Sequence, residues 1–363
     1  MPRNLHRKPF NEGTLAKLEL FRGHIVAWLS VFVKSERVIR KNIRIFDFFC
    51  GPGVDNSGNK GTPLLILEAL KGMETSIRKI DYQVDVYLND SDAEKIEQLN
   101  QTLDDRGLRT GPYRIHISNQ EFIDGFNRLR PQMLNSANLL LLDQNGVRFF
   151  TAEIFHEIRT LPFTDVLVFM SASYVLRFRE EPEITKYLEA EKIFAGQKPA
   201  YHQVHRAIVD YYRRLVPRND QYFLAPFSIK SGSNIYGVIF GSGNHKGLEK
   251  FLETAWSIDP LRGEADYDID REGIVTDQGM LFAEMEKPKK TQLFEQVLES
   301  KILAGRLPDT GAIYDFVHQQ GFLMKHASPV LRRLKKEGRI AGNITGIGYS
   351  SLRNPEPIQV VPQ

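Results

Sequence analysis

Asp47, Gly51 and Gly53 are the residues whose types and spacing best fit a ligand-binding role. They follow an apolar run that predicts a buried strand ending in a glycine turn. Glycine lets the backbone approach a ligand where a Cβ would collide, and the acidic side chain can accept a hydrogen bond from an ammonium group.

This pattern, with Phe49 inside it, resembles the start of the cofactor site in S-adenosylmethionine-dependent methyltransferases. An ordinary strand-to-helix turn is the alternative.

Two further segments offer groups for the same cofactor. Asp90 ends the second predicted strand, where a carboxylate can accept hydrogen bonds from both ribose hydroxyls. Its alternative role is a helix N-cap within residues 89–92. Glu121 and Phe122 follow the third predicted strand and could contact the adenine amino group and the adenine ring. A plain loop is the alternative for this pair.

Asp143, Gln144 and Asn145 follow the fourth predicted strand, at the position that faces the reactive methyl group in this kind of fold. Their oxygens could accept the N–H bonds of a target amine and orient its lone pair. Methyl transfer depends mainly on alignment, so positioning would supply most of the effect. The alternative is a turn formed by Asn145 and Gly146.

Other reactive side chains do not form a recognisable site. His202 and His205 are three residues apart on a predicted helix, but no third metal ligand accompanies them. The single cysteine, Cys50, excludes an internal disulfide framework and has no identifiable base beside it. We therefore predict no metal site and a buried Cys50 with a packing role.

Length and composition are those of a globular protein. The 363 residues, 42% hydrophobic and 26% charged, can form one large domain or two ordinary ones. An apolar run of about 18 residues, as a membrane span requires, does not occur, and the first residues lack the apolar core of a secretory signal. We expect no membrane association and a cytoplasmic location.

Strands and helices alternate through the first half of the sequence, which predicts a parallel sheet. A helical segment, about 171–221, follows the fifth strand, and a hairpin closes the sheet. Residues 1–286 are therefore predicted to form a class I methyltransferase-like, Rossmann-like α/β domain with seven strands and a helical insertion. Its first helix is predicted over 15–33, with Thr14 as the N-cap.

Residues 287–363 predict a separate winged-helix domain. Helices are expected over 291–303 and 310–320, and a third is expected to start with Ser328 as the cap and Pro329 in the first turn. Two short strands within 340–350 would form the wing.

The winged-helix segment is basic. It has 12 Lys and Arg against 6 Asp and Glu, whereas the whole chain has a net charge of only +3. Four cations on the third helix could meet phosphates of a nucleic acid: Arg332, Arg333, Lys335 and Lys336. The alternative is a solvated face on a protein-docking domain.

Several motifs in combination resemble the three-Cys-motif partner (TcmP) proteins, over roughly residues 14–286. The resemblance rests on Asp47-x-Phe49-x-Gly51-x-Gly53, Gly61-Thr62-Pro63-Leu64, Leu88-Asn89-Asp90, Asp143-Gln144-Asn145-Gly146, Asp165 to Tyr174, Pro226 to Lys230, Asn234 to Gly237 and Gly247 to Leu252. It implies a methyltransferase-like fold in a bacterial protein that has a three-Cys-motif partner encoded nearby.

The sequence leaves two functions open. One is a methyltransferase that uses S-adenosylmethionine and acts on nucleic acid held by the winged helix. The other is a non-catalytic interaction protein in which the methyltransferase fold is a scaffold that docks the three-Cys-motif protein.

Overall fold

The computed structural model describes residues 10–34, 40–144, 148–181, 190–194, 199–274 and 287–362. The chain forms two compact units, Met1–Gly247 and Leu248–Gln363. The domain boundary that we expect near residue 286 stays a prediction. None of the helices in the described ranges is both long and apolar enough to cross a membrane.

The first unit alternates strands and helices. Its described helices are α1 (Glu12–Val33), α2 (Thr62–Gly72), α3 (Glu74–Ile80), α4 (Ala93–Asp105), α5 (Phe122–Met133), α6 (Ala152–Arg159), α7 (Ala172–Arg177), α8 (Ala190–Phe194) and α9 (Val204–Leu215). Its strands are β1 (Asn42–Asp47), β2 (Gln83–Asn89), β3 (Arg114–Ser118), β4 (Ala137–Asp143), β5 (Thr164–Met170), β6 (Phe223–Ser231) and β7 (Asn234–Ser242).

The seven strands form one sheet in the order β3-β2-β1-β4-β5-β7-β6. Strands β1 to β5 are parallel, whereas β7 runs antiparallel to β5 and to β6. Five parallel strands closed by an antiparallel hairpin are the plan of the class I methyltransferase sheet. The predicted fold class is confirmed.

The parallel arrangement brings the carboxyl ends of β1, β2 and β4 to one edge. Asp47, the last residue of β1, is in register with Leu88 of β2 and Leu141 of β4. Both faces of β4 are buried, which explains its continuous run of leucines. Acidic residues predicted from three separate motifs therefore lie at one edge of the sheet.

Helix α1 begins earlier than predicted. Its N-cap is Asn11, whose side chain accepts a hydrogen bond from the Thr14 backbone N–H, so Thr14 as the cap was wrong. Asparagine satisfies the exposed N–H groups of a first turn at least as well as threonine does, which accounts for the earlier start.

The described part of the second unit contains most of one helix that begins in the first unit, three further α-helices and a small two-stranded sheet. Helix α10 (His245–Ile258) spans the division between the units, and the elements that follow are α11 (Lys289–Leu303), α12 (Thr310–Gln319), α13 (Met324–Lys336), β8 (Ile340–Ala341) and β9 (Gln359–Val360). Three helices followed by a paired strand agree with the predicted winged helix.

Two details of the winged helix differ from the prediction. Helix α13 starts at Met324, and Pro329 lies inside it; the Ser328 hydroxyl donates to the Met324 carbonyl instead of capping the helix. The second wing strand is β9, because Ile358 N–H donates to the carbonyl of Pro308 and thereby aligns the chain with β8.

The segment after α10 is a loop with a buried centre. Arg262 is 2% exposed and forms an ion pair with Asp268, while the Asp259 carboxylate accepts hydrogen bonds from four backbone N–H groups of residues 261–265. A sequence without regular periodicity gave no sign of this packing.

Candidate cofactor and acceptor site

Asp47 is a strongly perturbed carboxyl group at the carboxyl edge of the sheet. It is 1% exposed, and burial raises the pKa of its carboxyl group to about 8. The neighbouring Asp143 carboxylate adds to this increase, and Asp90 adds a smaller amount, whereas Lys17 opposes it. Like charges brought together in a buried place are costly to keep, which is typical of a functional site.

Two buried polar atoms at this edge have no partner within the described residues. The Asp47 Oδ1 accepts a hydrogen bond of 3.2 Å from Phe49 N, but Oδ2 has no donor. The Gln144 Oε1 accepts one of 2.9 Å from Phe149 N, but Nε2 has no acceptor. An unsatisfied buried polar atom costs about 1–3 kcal/mol and is uncommon. An acceptor and a donor thus lie ready for a ligand.

The glycine turn has the backbone that its sequence predicts. Gly51 and Gly53 have φ angles of +62° and +84°, which favour glycine. A Cβ on Gly53 would lie 3.0 Å from the side chains of Leu64 and Leu99, so this position also needs a small residue for packing. Gly51 N donates a 3.1 Å hydrogen bond to Asp90 Oδ2, which ties the turn to the end of β2.

Asp90 is largely occupied by the protein itself. Besides Gly51 N, it accepts a 3.0 Å hydrogen bond from Asp92 N and lies 3.5 Å from the Lys95 ammonium group. A carboxylate offers about four acceptor positions, so about one remains for a ribose hydroxyl. The N-cap of α4 is Asp92, whose side chain accepts from Glu94 N.

Phe122 belongs to an aromatic cluster near the glycine turn. Its ring centroid lies 5.4 Å from that of Phe49 and 5.5 Å from that of Phe149. Phe122 is buried, while Phe49 and Phe149 are partly exposed and offer an apolar surface to a planar ligand. Glu121, the other predicted adenine contact, is exposed. Sequence reasoning missed Phe149.

Asp143 pairs with a residue that the sequence did not indicate. The ammonium group of Lys17, on α1, forms an ion pair with Asp143 Oδ2. Lys17 is 6% exposed, and its nitrogen lies 5.0 Å from the ring centroid of Phe169. No pattern distinguishes Lys17 from the other charged residues of α1. Asn145, predicted beside Asp143 and Gln144, lies outside the described residues.

The remaining reactive side chains have packing roles. Cys50 is buried, and burial raises the pKa of its thiol well above the usual range. His205 packs against β7, since a Cβ on Gly237 would lie 2.2 Å from its ring, and its Nδ1 is 3.0 Å from Ser228 Oγ. Within the described ranges, no group of three or more His, Cys, Asp or Glu could hold a metal ion.

The four cations of α13 are all exposed but differ in their contacts. Arg333 donates a 2.5 Å hydrogen bond to Glu299, which also pairs with Arg339. Lys335 donates to the Gly342 carbonyl at 2.8 Å. Arg332 makes a long hydrogen bond of 3.3 Å to the Ser328 carbonyl of its own helix. Arg332 and Lys336 are therefore better placed than Arg333 for an external anion.

A family model matches part of the second unit. Residues 266–343 match the model of the GMT-like wHTH domain. The C-terminal part of this chain is thus a winged helix-turn-helix domain, as its three helices and β8–β9 pair indicate. A search of curated proteins finds no match.

Solved structures of methyltransferases resemble the chain only distantly. The SAM-dependent methyltransferase from Agrobacterium tumefaciens has 10% identity and a TM-score of 0.33, with 63% of this chain and 61% of that one covered. The DszA carbon methyltransferase has 13% identity and a TM-score of 0.32, with 59% and 50% covered. The match thus spans less than two thirds of either protein, and we take nothing about activity from it.

Proposed function

We propose that this protein is an S-adenosylmethionine-dependent methyltransferase that acts on nucleic acid. The observation that carries the proposal is the orphaned Oδ2 of buried Asp47, beside a glycine turn at the carboxyl edge of a class I methyltransferase-like sheet. In open α/β sheets, ligands bind outside the carboxyl ends of the strands. A cationic ligand at Asp47 would supply the missing partner and offset the repulsion from Asp143.

The residues present fit this cofactor. Asp47 would accept from its ammonium group, and the turn at Gly51 and Gly53 would allow close approach of the backbone. Asp90 would use its remaining acceptor position on the ribose, and Phe49 and Phe122 would contact the adenine. The cofactor supplies a methyl group on a sulfonium ion, which is electrophilic without further activation.

The acceptor would lie beside the end of β4. Asp143, Gln144 and Asn145 are the proposed positioning groups, and the orphaned Gln144 Nε2 could donate to a carbonyl oxygen of the acceptor. Lys17 fixes the Asp143 carboxylate and keeps a positive charge in this place. The chain would therefore act by holding and aligning the acceptor rather than by proton transfer.

The winged helix would hold the nucleic acid. We propose that Arg332 and Lys336 make the main phosphate contacts, with Arg333 and Lys335 in supporting positions. Winged-helix domains of this general type place a helix against the duplex, and exposed cations on that helix add salt-dependent affinity. The cytoplasmic location expected from the sequence is part of this proposal.

A second function is favoured by how fully the protein satisfies its own carboxylates. Asp143 is paired with Lys17, and Asp90 has three donors within the chain. Such pairing suits a non-catalytic scaffold that docks a three-Cys-motif partner, as the resemblance to the TcmP proteins implies. Co-purification with that partner, together with absence of cofactor binding, would favour this function.

Two measurements separate these functions. Calorimetric titration with S-adenosylmethionine should give saturable binding with one site per chain. Incubation with labelled cofactor should then transfer methyl groups to DNA or RNA. A folded protein that shows no binding at millimolar cofactor would overturn the enzyme proposal.

A further inference from the structure

An aromatic surface follows β5 at the same edge of the sheet as the candidate site. Tyr174 and Phe178 are 42% and 40% exposed, and their ring centroids lie 4.6 Å apart. Large aromatic side chains that remain this exposed as a pair lose the gain of burial, about 25 cal/mol per Å². Single exposed apolar residues are common, but an exposed pair of aromatic rings in contact is better explained by a binding function.

Helix α7, which carries Tyr174 and is followed directly by Phe178, is tied to the sheet. The buried Ser173 hydroxyl donates to the Ile235 carbonyl at 3.0 Å, and Ile235 N donates back to it at 2.8 Å. These bonds fasten α7 to the start of β7, which pairs with the end of β5. The rings therefore do not depend on a loose loop for their position.

Arg177 lies between Tyr174 and Phe178 in the sequence. The exposed guanidinium group of Arg177 donates to the Tyr201 hydroxyl at 2.8 Å and to Asn234 Oδ1 at 2.9 Å. Both acceptors are neutral, so these contacts orient the charge without cancelling it. Arg179, in contrast, is paired with Glu180. An oriented guanidinium on the same short segment as two exposed aromatic rings, tilted by 45° to each other, suits a planar group attached to a phosphate.

A second aromatic pair lies near the end of β5, beside the acceptor position. Phe169, one residue before the end of β5, is in register with Asp143 of β4. Its ring stacks on that of Tyr236 of β7 at 5.5 Å, and both side chains are partly exposed. The ammonium group of Lys17, which pairs with Asp143, lies 5.0 Å from the centroid of the Phe169 ring.

We propose that Tyr174 and Phe178 form a stacking platform for an unpaired base of single-stranded nucleic acid, with Arg177 contacting the adjacent phosphate. This inference names the substrate class of the proposed function and rests on that function for its catalytic meaning. Base stacking on aromatic side chains is tolerant of sequence, so the platform would select an unpaired base rather than a particular one.

The test is photo-cross-linking of the full chain to a thymine hexamer that carries one 5-bromouracil. Both Arg332 and Lys336 are changed to Gln in all samples, so that the winged helix contributes little affinity. We expect a cross-link to the peptide containing Tyr174 and Phe178. Changing both to Leu should abolish it and weaken hexamer binding about tenfold, since stacking contributes roughly 1–3 kcal/mol per base.

Phe163 provides the matched control. It is 46% exposed and immediately precedes β5, at the opposite edge of the sheet. Phe163→Leu should leave both the cross-link and the affinity unchanged. Arg177→Gln should weaken hexamer binding and make it less dependent on salt concentration than in the parent. Melting temperatures check that the exposed substitutions leave the fold intact.

Results that contradict the stacking platform can be told apart from a failure of the methyltransferase proposal. Cross-links confined to other peptides, or unchanged hexamer affinity in the double Leu variant, would overturn the platform. If the double Leu variant kept its hexamer affinity but no longer bound a protein that the parent binds, the platform would be overturned in favour of a protein-docking surface. If the hexamer cross-links to the platform but S-adenosylmethionine does not bind in calorimetry, the platform stands and the methyltransferase proposal fails.

Discussion

Two fully buried carboxyl groups, one at each edge of the sheet, are satisfied in different ways. At the amino end of β5, Asp165 accepts a 2.5 Å hydrogen bond from Ser242, and burial raises its pKa to about 7. At the carboxyl end of β1, Asp47 has a pKa of about 8, two acidic neighbours and an oxygen with no donor among the described residues. The fold can satisfy a buried carboxyl group, and at Asp47 it does not.

An orphaned atom alone does not make a ligand site. The hydroxyl group of Tyr222, near Asp165, is also buried without a partner in the described part of the chain. The carboxyl edge differs because two orphaned atoms lie there beside a glycine turn: an acceptor on Asp47, the last residue of β1, and a donor on Gln144, which directly follows the neighbouring strand β4. Several buried side chains with unsatisfied hydrogen-bonding atoms in one place, rather than burial alone, therefore mark the candidate site.

We expect the largest effect in cofactor affinity, which should depend on Asp47 and not on Asp165. Asp47→Asn should weaken S-adenosylmethionine binding on the order of 100-fold, because a charge-assisted hydrogen bond to the ammonium group is lost. Asp165→Asn should leave the affinity unchanged. Calorimetric titration of both variants checks this, and equal losses in both would remove the distinction between the two edges.

The ion pair at the carboxyl edge offers a comparison in stability. Lys17→Met should lower the free energy of unfolding by about 3 kcal/mol, because it leaves Asp143 without its buried partner. Lys60→Met, which breaks an exposed pair with Glu68, should cost less than about 1 kcal/mol. Urea denaturation measures both. Similar small losses would show that the Lys17 pair is not energetically distinct.

Cofactor affinity should depend on pH through Asp47. A cationic ligand favours the ionised carboxylate, so binding should tighten up to about tenfold between pH 6 and pH 7, below the Asp47 pKa of about 8. The increase should level off above pH 8 and should be absent in Asp47→Asn. Titrations across this range test the assignment; an unchanged pH profile in the variant would contradict it.

Stability should show the opposite dependence. The unfolded carboxyl group ionises near pH 4, whereas native Asp47 keeps its proton until about pH 8. The native state therefore binds more protons between these values, and stability falls as pH rises from 4 to 8. Asp47→Asn should melt with a smaller decrease between pH 5 and pH 8 than the parent. An equal decrease would mean that Asp47 does not hold its proton.

We expect the smallest effect in DNA binding by the winged helix, where cations without a carboxylate partner can be compared with one that has such a partner. Changing Arg332 and Lys336 to Gln should reduce the salt dependence of duplex DNA binding by about two units of slope, since each phosphate contact contributes about 0.9. Arg333→Gln should change the slope less, because Glu299 already holds that guanidinium. Filter binding at several salt concentrations checks this; cofactor affinity should not change.

Much of the fold could be predicted because it depends on local patterns. Apolar runs that end in Asp47, Asp90 and Asp143 indicated parallel strands, and the topology then brought their carboxyl ends to one edge. Boundaries were less accurate where a single hydrogen bond decides them, as with Asn11 at α1 and Ser328 inside α13. Strand β9 lay beyond the predicted wing because a distant contact with Pro308 fixes its register.

The candidate site was only partly predictable. Motif residues at strand ends were found, since their position follows from the period of the sheet. Lys17 and Phe149 were not, because each reaches the site from an element whose own pattern is ordinary. The existing partners of Asp90 were also invisible in the sequence, although they limit what it can offer a ribose.

The most direct test of the account is a crystal structure of the protein grown with S-adenosylmethionine. We predict that the cofactor ammonium group lies within hydrogen-bond distance of Asp47 Oδ2, beside the turn at Gly51 and Gly53. A cofactor bound elsewhere, or saturating cofactor with no density at this edge, would contradict the assignment of the orphaned carboxyl group to cofactor binding.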